Sequence, residues 1–308
     1  MPPALKVPLL IALLWMRVLQ GQGRYIEQNG INDDPFGLLS SEMKREFPQG
    51  NIYSQSLKCV DMLMVEGQFS FRADGPQLNC AVFLMVDPDE VISLEYNNVN
   101  IDCQAGDFLK VFDGWILKGN VFPSPMDHAL PISERYVDFC EGSNLNTAIS
   151  SKQNVAMILF QIHTAGNGFS LTIRHSINPF PCNMISKNPE GRFTMVIPHR
   201  QSNCSFSMIY PTEVRISNVT LGHTNDVTIP VKNCGGATDF VQLLGGNTLD
   251  PSRMLPMGEI CHPFSGSAPM KISCENTVVR IVSSGRQTNR LTFEYRQLEH
   301  HELEKQCK

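Results

Sequence analysis

Residues Cys103–Asn120 read CQAGDFLKVFDGWILKGN. Phe108, Lys110 and Phe112 fall on alternate positions and Asp113-Gly114 follows as a turn, which is the pattern of a strand entering a hairpin. A looser echo, CGGATDFVQLLGGN, runs Cys234–Asn247. In each copy a cysteine precedes an Asp-Phe pair, Asp107-Phe108 and Asp239-Phe240, so the stretch marks a repeat as well as a strand.

Working outward, Gly67-Gln-Phe-Ser-Phe stands thirteen residues before Cys80, and Gly191-Arg-Phe-Thr-Met thirteen before Cys204. Cys59 then corresponds to Cys182 and Cys140 to Cys261. The segment from Asn154 to Ile173 parallels the one from Asn276 to Tyr295 without a gap. A repeat of this length is a duplicated domain. Apolar alternation recurs at Phe69/Phe71, Val82/Leu84/Val86, Ile92/Leu94/Tyr96, Ala156/Ile158/Phe160 and Phe169/Leu171/Ile173, between Gly, Pro, Asn and Asp clusters. Many short strands with turn signals predict an all-β chain of two domains, each a sandwich or a barrel.

The chain has 308 residues, a net charge of −5 and ten cysteines. Lys6, the apolar run Val7–Met16 and the small residues Gly21 and Gly23 read as a secretory signal peptide over 1–23. The apolar run is too short to span a bilayer, so the expected product is secreted, with no membrane partner. The acidic balance and the lack of a Lys/Arg run exclude nucleic acid as the expected partner. Residues 24–50 form an acidic arm, with a short helix expected near Ser40–Phe47. The first domain is placed at 51–176 and the second, with a disulfide-tied tail, at 177–308. Between them NPFP, Asn178–Pro181, is short enough to hold the domains close.

An even cysteine count in an exported chain, without CxxC or zinc spacing, reads as five disulfides and no metal. The repeat pairs Cys59 with Cys80, Cys103 with Cys140, Cys182 with Cys204 and Cys234 with Cys261, leaving Cys274 for Cys307. In the chain-entropy model each such bridge contributes about 3 kcal/mol. Asn203-Cys-Ser and Asn218-Val-Thr are candidate glycosylation sites.

No GxSxG elbow, P-loop or dinucleotide fingerprint occurs. His301-Glu302-Leu-Glu-Lys305 begins like a zinc-protease helix but puts Lys305 where the second histidine belongs. The chain is therefore read as a non-enzyme without cofactors.

The paired cysteines, the Cys-x-x-x-Asp-Phe-x-x-Val-x-Asp-Gly block and the closing Gly-x-Gly-Phe-x-Leu-x-Ile strand resemble CUB domains, two in tandem, which implies two disulfide-stabilised antiparallel β-sandwich (jelly-roll) domains. The segments KCVDML (58–63), GQFSF (67–71), DFCE (138–141), GNGFSLTI (166–173) and TFEYRQLE (292–299) go further, and resemble the family of corticotropin-releasing factor-binding proteins. The resemblance implies a secreted glycoprotein that captures corticotropin-releasing factor and the related urocortin, both amphipathic helical peptides, and keeps them from their receptors. An extracellular CUB adaptor that recruits a protease or its substrate is the alternative.

Within that family the stretch beside the first cysteine is implicated in peptide binding, which points to Asp61. The family arginine four positions before that cysteine is Gln55 here. Asp61 is equally readable as a turn carboxylate beside the 59–80 bridge. Met62 and Met64 offer adaptable apolar contacts, though of Met62, Leu63 and Met64 at least one belongs in the core. Trp115 is either an exposed anchor or a lid on the sandwich end, with the lid favoured. CUB calcium sites use an acid before the third cysteine and the aspartate four after it, here Asp102 and Asp107, plus a third acid that falls at Ile162-His163 and is missing. The second repeat keeps Asp239 but has Val219-Thr220-Leu221 where the first acid belongs, so no metal is expected there either.

Overall fold

The computed structural model describes residues 53–117, 119–141, 148–221, 234, 237–266, 269–303 and 307. The expected signal peptide and arm lie outside the described residues, while residues 52–308 cluster as one compact unit.

The duplication read from the sequence appears in the order of the sheets. In the first half one sheet orders Ser54–Ser56, Gly67–Arg72, Gly168–Ile177, Glu90–Asn100 and Ile149–Ser150. The other orders Val60–Leu63, Gln77–Met85, Val155–Ile162, Phe108–Phe112 and Tyr136–Asp138. The second half matches this last sheet with Met184–Ser186, Gln201–Met208, Asn276–Ser284, Phe240–Gly246 and Leu255–Ile260. It matches the first sheet with Glu190–Ile197, Asn289–Gln297, Thr212–Thr220 and Phe264–Ser265. Pairing is antiparallel apart from three short strands at sheet edges, Ser54–Ser56, Val60–Leu63 and Met184–Ser186, each parallel to its neighbour.

Each sandwich closes on its own core. In the first, Phe71 and Phe160 from opposing sheets pack tilted at 4.5 Å between ring centroids; in the second, Phe206 and Phe293 meet at 5.1 Å. The structure pairs Cys59–Cys80, Cys103–Cys140, Cys182–Cys204, Cys234–Cys261 and Cys274–Cys307. The hairpin after Phe112 needs its glycine: Gly114 has φ 127°, and a Cβ there would collide with the Phe122 carbonyl.

The strand Phe108–Phe112 divides its residues between two faces. Leu109 and Val111 point into the core, while Phe108 and Lys110 lie half-buried on the outer face. Lys110 there pairs with Asp138 at 2.7 Å. Phe112 is nevertheless fully buried, because the outer face of this sheet is itself covered near its end. Met85, Val155 and Met157 are buried on that outer face, as are Leu244, Met254 and Val278 in the second half. Runs such as FLMV (83–86) and NVAMILF (154–160) are continuous rather than alternating, which is what burial on both faces demands.

The halves meet through these outer faces. Asn154, with no exposed surface, donates to the carbonyls of Val86 and Ile185 (both 2.8 Å) and accepts from the Ile185 amide (3.0 Å). Asp127 takes Arg280 at 2.6 Å and the Ser205 hydroxyl at 2.9 Å, and its carbonyl accepts from the Asn183 amide at 2.9 Å. Further along, Ser124 donates to Asp250 and Thr248 to Asn120.

Candidate functional site

Asp61 sits on the short edge strand Val60–Leu63, directly after the bridged Cys59. Its Oδ2 accepts from the Lys58 amide (3.1 Å) and its Oδ1 from the Met62 amide (2.9 Å), so the carboxylate closes its own turn while keeping a partly exposed side chain. Leu63 is the core member of the Met62-Leu63-Met64 run, at 5% exposed. Met62 and Met64 are half-buried, and the Met64 sulfur receives the Lys187 ammonium from the second half. Burial holds the Lys187 pKa below the usual lysine range, with Asp87 opposing. Gln55 lies on Ser54–Ser56, at the edge of the facing sheet, and its side-chain oxygen accepts from the Tyr53 hydroxyl. Val60 and Leu78 add exposed apolar surface to this rim.

Asp107 is engaged structurally. Its oxygens accept from the Asp102 amide (2.9 Å) and from the His163 amide and ring nitrogen (both 2.8 Å). Burial is the largest single effect on this carboxyl and pushes its pKa up, but the hydrogen bonds together hold it below the ordinary value. Asp102 caps the turn at Gln104 and Ala105. Asp239 repeats the device, accepting from Ser284, Asn289 and Thr238, again with its pKa lowered against the upward push of burial. Among the described residues no group of three His, Cys, Asp or Glu side chains converges as a metal site.

Trp115 is 2% exposed, and its ring nitrogen donates to the carbonyls of Leu84 (3.1 Å) and Ala156 (3.0 Å). Of its two readings the covering role is the one seen. The zinc-protease look-alike is a short 3-10 turn, His300–Glu302. Glu302 there is gripped by Arg296 and then Lys271, which hold its carboxyl far below the usual range.

A concavity lies elsewhere. A cleft of about 970 Å³ opens between the loop after Pro123, the NPFP connection and the start of the second sandwich. Met126, Ile177 and Phe180 line it while 62%, 71% and 52% exposed. Asn203, one of the two candidate glycosylation sites, also lines it and donates to the Met126 carbonyl at 3.3 Å; Asn218 stands exposed on Thr212–Thr220. Sequence reasoning treated 178–181 only as a connector. The available signal was the pair Ile177 and Phe180, two large apolar side chains in an otherwise turn-forming segment.

The class defined by these features is an all-β, disulfide-bridged chain of two duplicated sandwiches joined through buried faces. Family models described as the corticotropin-releasing factor binding protein N-terminal and C-terminal domains match residues 51–177 and 184–304. Corticotropin-releasing factor-binding protein of Homo sapiens is 53% identical over 307 residues, covering 99% of this chain and 95% of its own. The Xenopus laevis protein of that name is 54% identical over 308 residues (99% and 96%), and the Mus musculus one 52% over 307 (99% and 95%). The chain belongs to the corticotropin-releasing factor-binding protein family. A solved structure titled CUB1-EGF-CUB2 domain of human MASP-1/3 covers 76% of this chain and 99% of its own at 11% identity, with a TM-score of 0.27, a likeness too slight to bear on the fold.

Proposed function

We propose that this chain is a secreted glycoprotein that binds corticotropin-releasing factor and the related urocortin, and sequesters them from their receptors without altering them. The observation that carries the reading is identity above 50% with proteins named for that binding, along almost the whole chain. Two further features support it. The bridged sandwiches present exposed apolar surface fit for a peptide's apolar face. The one catalytic look-alike, at Glu302, is held in a structural ion cluster. Two domains are proposed, 51–176 and 177–308, with glycans on Asn203 and Asn218 and peptide contacts from Asp61, Gln55, Met62 and Met64.

Sequestration is a stoichiometric act, so it has a distinct signature in a receptor-activation assay. The peptide's dose–response curve should shift rightward in proportion to added protein, with its maximum intact, and the peptide recovered from the complex should have an unchanged mass. A lowered maximum at saturating peptide, or cleaved peptide, would refute the mechanism.

A further inference from the structure

We infer that the outer face of the first sandwich receives the apolar side of the bound peptide, an amphipathic helix laid across the row Val60, Ala81 and Leu159 with a flanking carboxylate toward Lys58. The inference rests on the peptide-binding reading above and extends the contact from the rim at Asp61 onto the sheet beside it.

The duplication supplies the first observation. In the second sandwich Asn183, Ser205 and Arg280 lie side by side on neighbouring strands, and all three hold a loop of the first half. Asn183 donates to the Asp127 carbonyl at 2.9 Å, and Ser205 and Arg280 donate to its carboxylate at 2.9 and 2.6 Å. The matching row in the first sandwich is Val60, Ala81 and Leu159. Val60 and Ala81 follow Cys59 and Cys80 as Asn183 and Ser205 follow Cys182 and Cys204, and Leu159 pairs with Ala81 as Arg280 pairs with Ser205. The fold thus uses this face once to seat a segment of chain through hydrogen bonds, and builds it a second time with apolar side chains, fitted to an apolar occupant.

The second observation is that the apolar face outruns its cover. A sheet face turned to water is ordinarily polar, and the facing sheet of this sandwich conforms, with Gln68, Ser70, Ser170 and Thr172 alternating with core residues. On the row's own sheet Met85, Val155 and Met157 are outward and buried. Beyond them Ala81, Leu159 and Phe108 remain apolar while keeping exposed surface, Val60 is 67% exposed, and Leu78, on Ala81's strand, is 52% exposed. A contiguous exposed apolar patch of this kind marks a contact surface.

Size and position select the occupant. The four neighbouring strands that carry Val60, Ala81, Leu159 and Phe108 span about 14 Å, the length of about nine helical residues. Met62 shares the side of its strand with Val60, opposite the core residue Leu63, so the face is continuous with the contacts proposed at the rim. Lys58, exposed two residues before Val60, forms no ion pair among the described residues, so a carboxylate beside the peptide's apolar face finds a partner there. Both candidate glycan attachment points, Asn203 and Asn218, belong to the second sandwich.

The test uses the full secreted chain and synthetic corticotropin-releasing factor, with affinity measured by titration calorimetry. Val60→Ser/Leu78→Ser removes two side chains more than half exposed, so the thermal midpoint should hold while affinity drops by about tenfold or more. Ala81→Ser/Leu159→Gln, which makes the row polar as it is in the second half, should lose affinity likewise. Lys58→Glu should weaken binding more at low salt than at high salt. Leu255→Ser, an equally exposed apolar site in the second half, is the matched control and should bind as the parent does. Parental affinity in either double variant, or equal loss in the Leu255 control, would overturn the inference; parental affinity in Lys58→Glu would overturn the placing of the carboxylate. Sedimentation of the free chain tests the rival occupant, a second copy of the protein: dimers that the double variants abolish while peptide affinity stays parental would also overturn it. Absence of binding by the parent chain would instead overturn the peptide-binding reading itself.

Discussion

At matching places in the repeat, Asp107 and Asp239 each gather the amides and side chains of the loop at one end of their sandwich. Both carboxyls titrate below the ordinary aspartate value in the folded chain. A carboxyl with a lower folded than unfolded pKa binds fewer protons when folded, so its stabilisation is complete above the unfolded value, about 4, and is lost as pH falls through the folded one. Stability should therefore decline below about pH 4, and Asp107→Asn should flatten that decline while lowering stability at pH 7. Urea midpoints measured from pH 2 to 7 check this; an unchanged acid slope would remove Asp107 from the explanation. In sequence the third acid of a calcium site is missing at Ile162-His163, and in the structure the His163 amide and ring both bond to Asp107 instead.

Asp61 is harder to read from sequence, because a turn carboxylate and a ligand contact leave the same residue at the same place. Asn keeps an acceptor for the Met62 amide but loses the charge. If the carboxylate meets the peptide, Asp61→Asn should lower affinity by about tenfold with its melting midpoint kept. Parental affinity in that variant would reduce Asp61 to the turn it closes.

Among the elements, the strands Val155–Ile162 and Asn276–Ser284 carry most of what lay beyond periodicity. Their inward residues, Ala156, Ile158 and Phe160 in the first and Val279 and Ile281 in the second, follow the alternation that made a sandwich legible. Their outward residues Val155, Met157, Val278 and Arg280 are buried too, because the second sandwich covers the first. Periodicity reports one partner layer and is silent about a second, so the continuous apolar runs were the available hint. The arginine in NTVVRIVSS, Arg280, is 9% exposed and bound to Asp127.

A buried ion pair is weak net stabilisation but costly to break on one side. Asp127→Ala or Arg280→Ala alone should cost about 3 to 5 kcal/mol, and the double replacement Asp127→Leu/Arg280→Met distinctly less than the sum of the two single changes. A double-mutant cycle by chemical unfolding measures this. Additive losses would mean that the pair is not the contact that joins the halves.

For the molecule as a whole, the duplication was the most legible feature, since cysteines, Gly-aromatic landmarks and Asp-Phe pairs all kept step along the two halves. How the halves join was not legible, because contacts such as Asn154 with Ile185 arise only once each sandwich has formed. The joined faces make the cleft that Met126, Ile177 and Phe180 line. Binding by apolar surfaces needs no metal, so a chelator should change neither the melting midpoint nor peptide affinity; calcium-dependent binding would favour the adaptor reading.

The central claim is capture of a peptide hormone by an intact binding protein. Titration calorimetry of the purified chain with synthetic corticotropin-releasing factor tests it most directly. The account predicts saturable binding, with a negative heat-capacity change from buried apolar surface and an affinity tighter than about 1 μM. The absence of heat and of retained peptide at micromolar concentrations would contradict it.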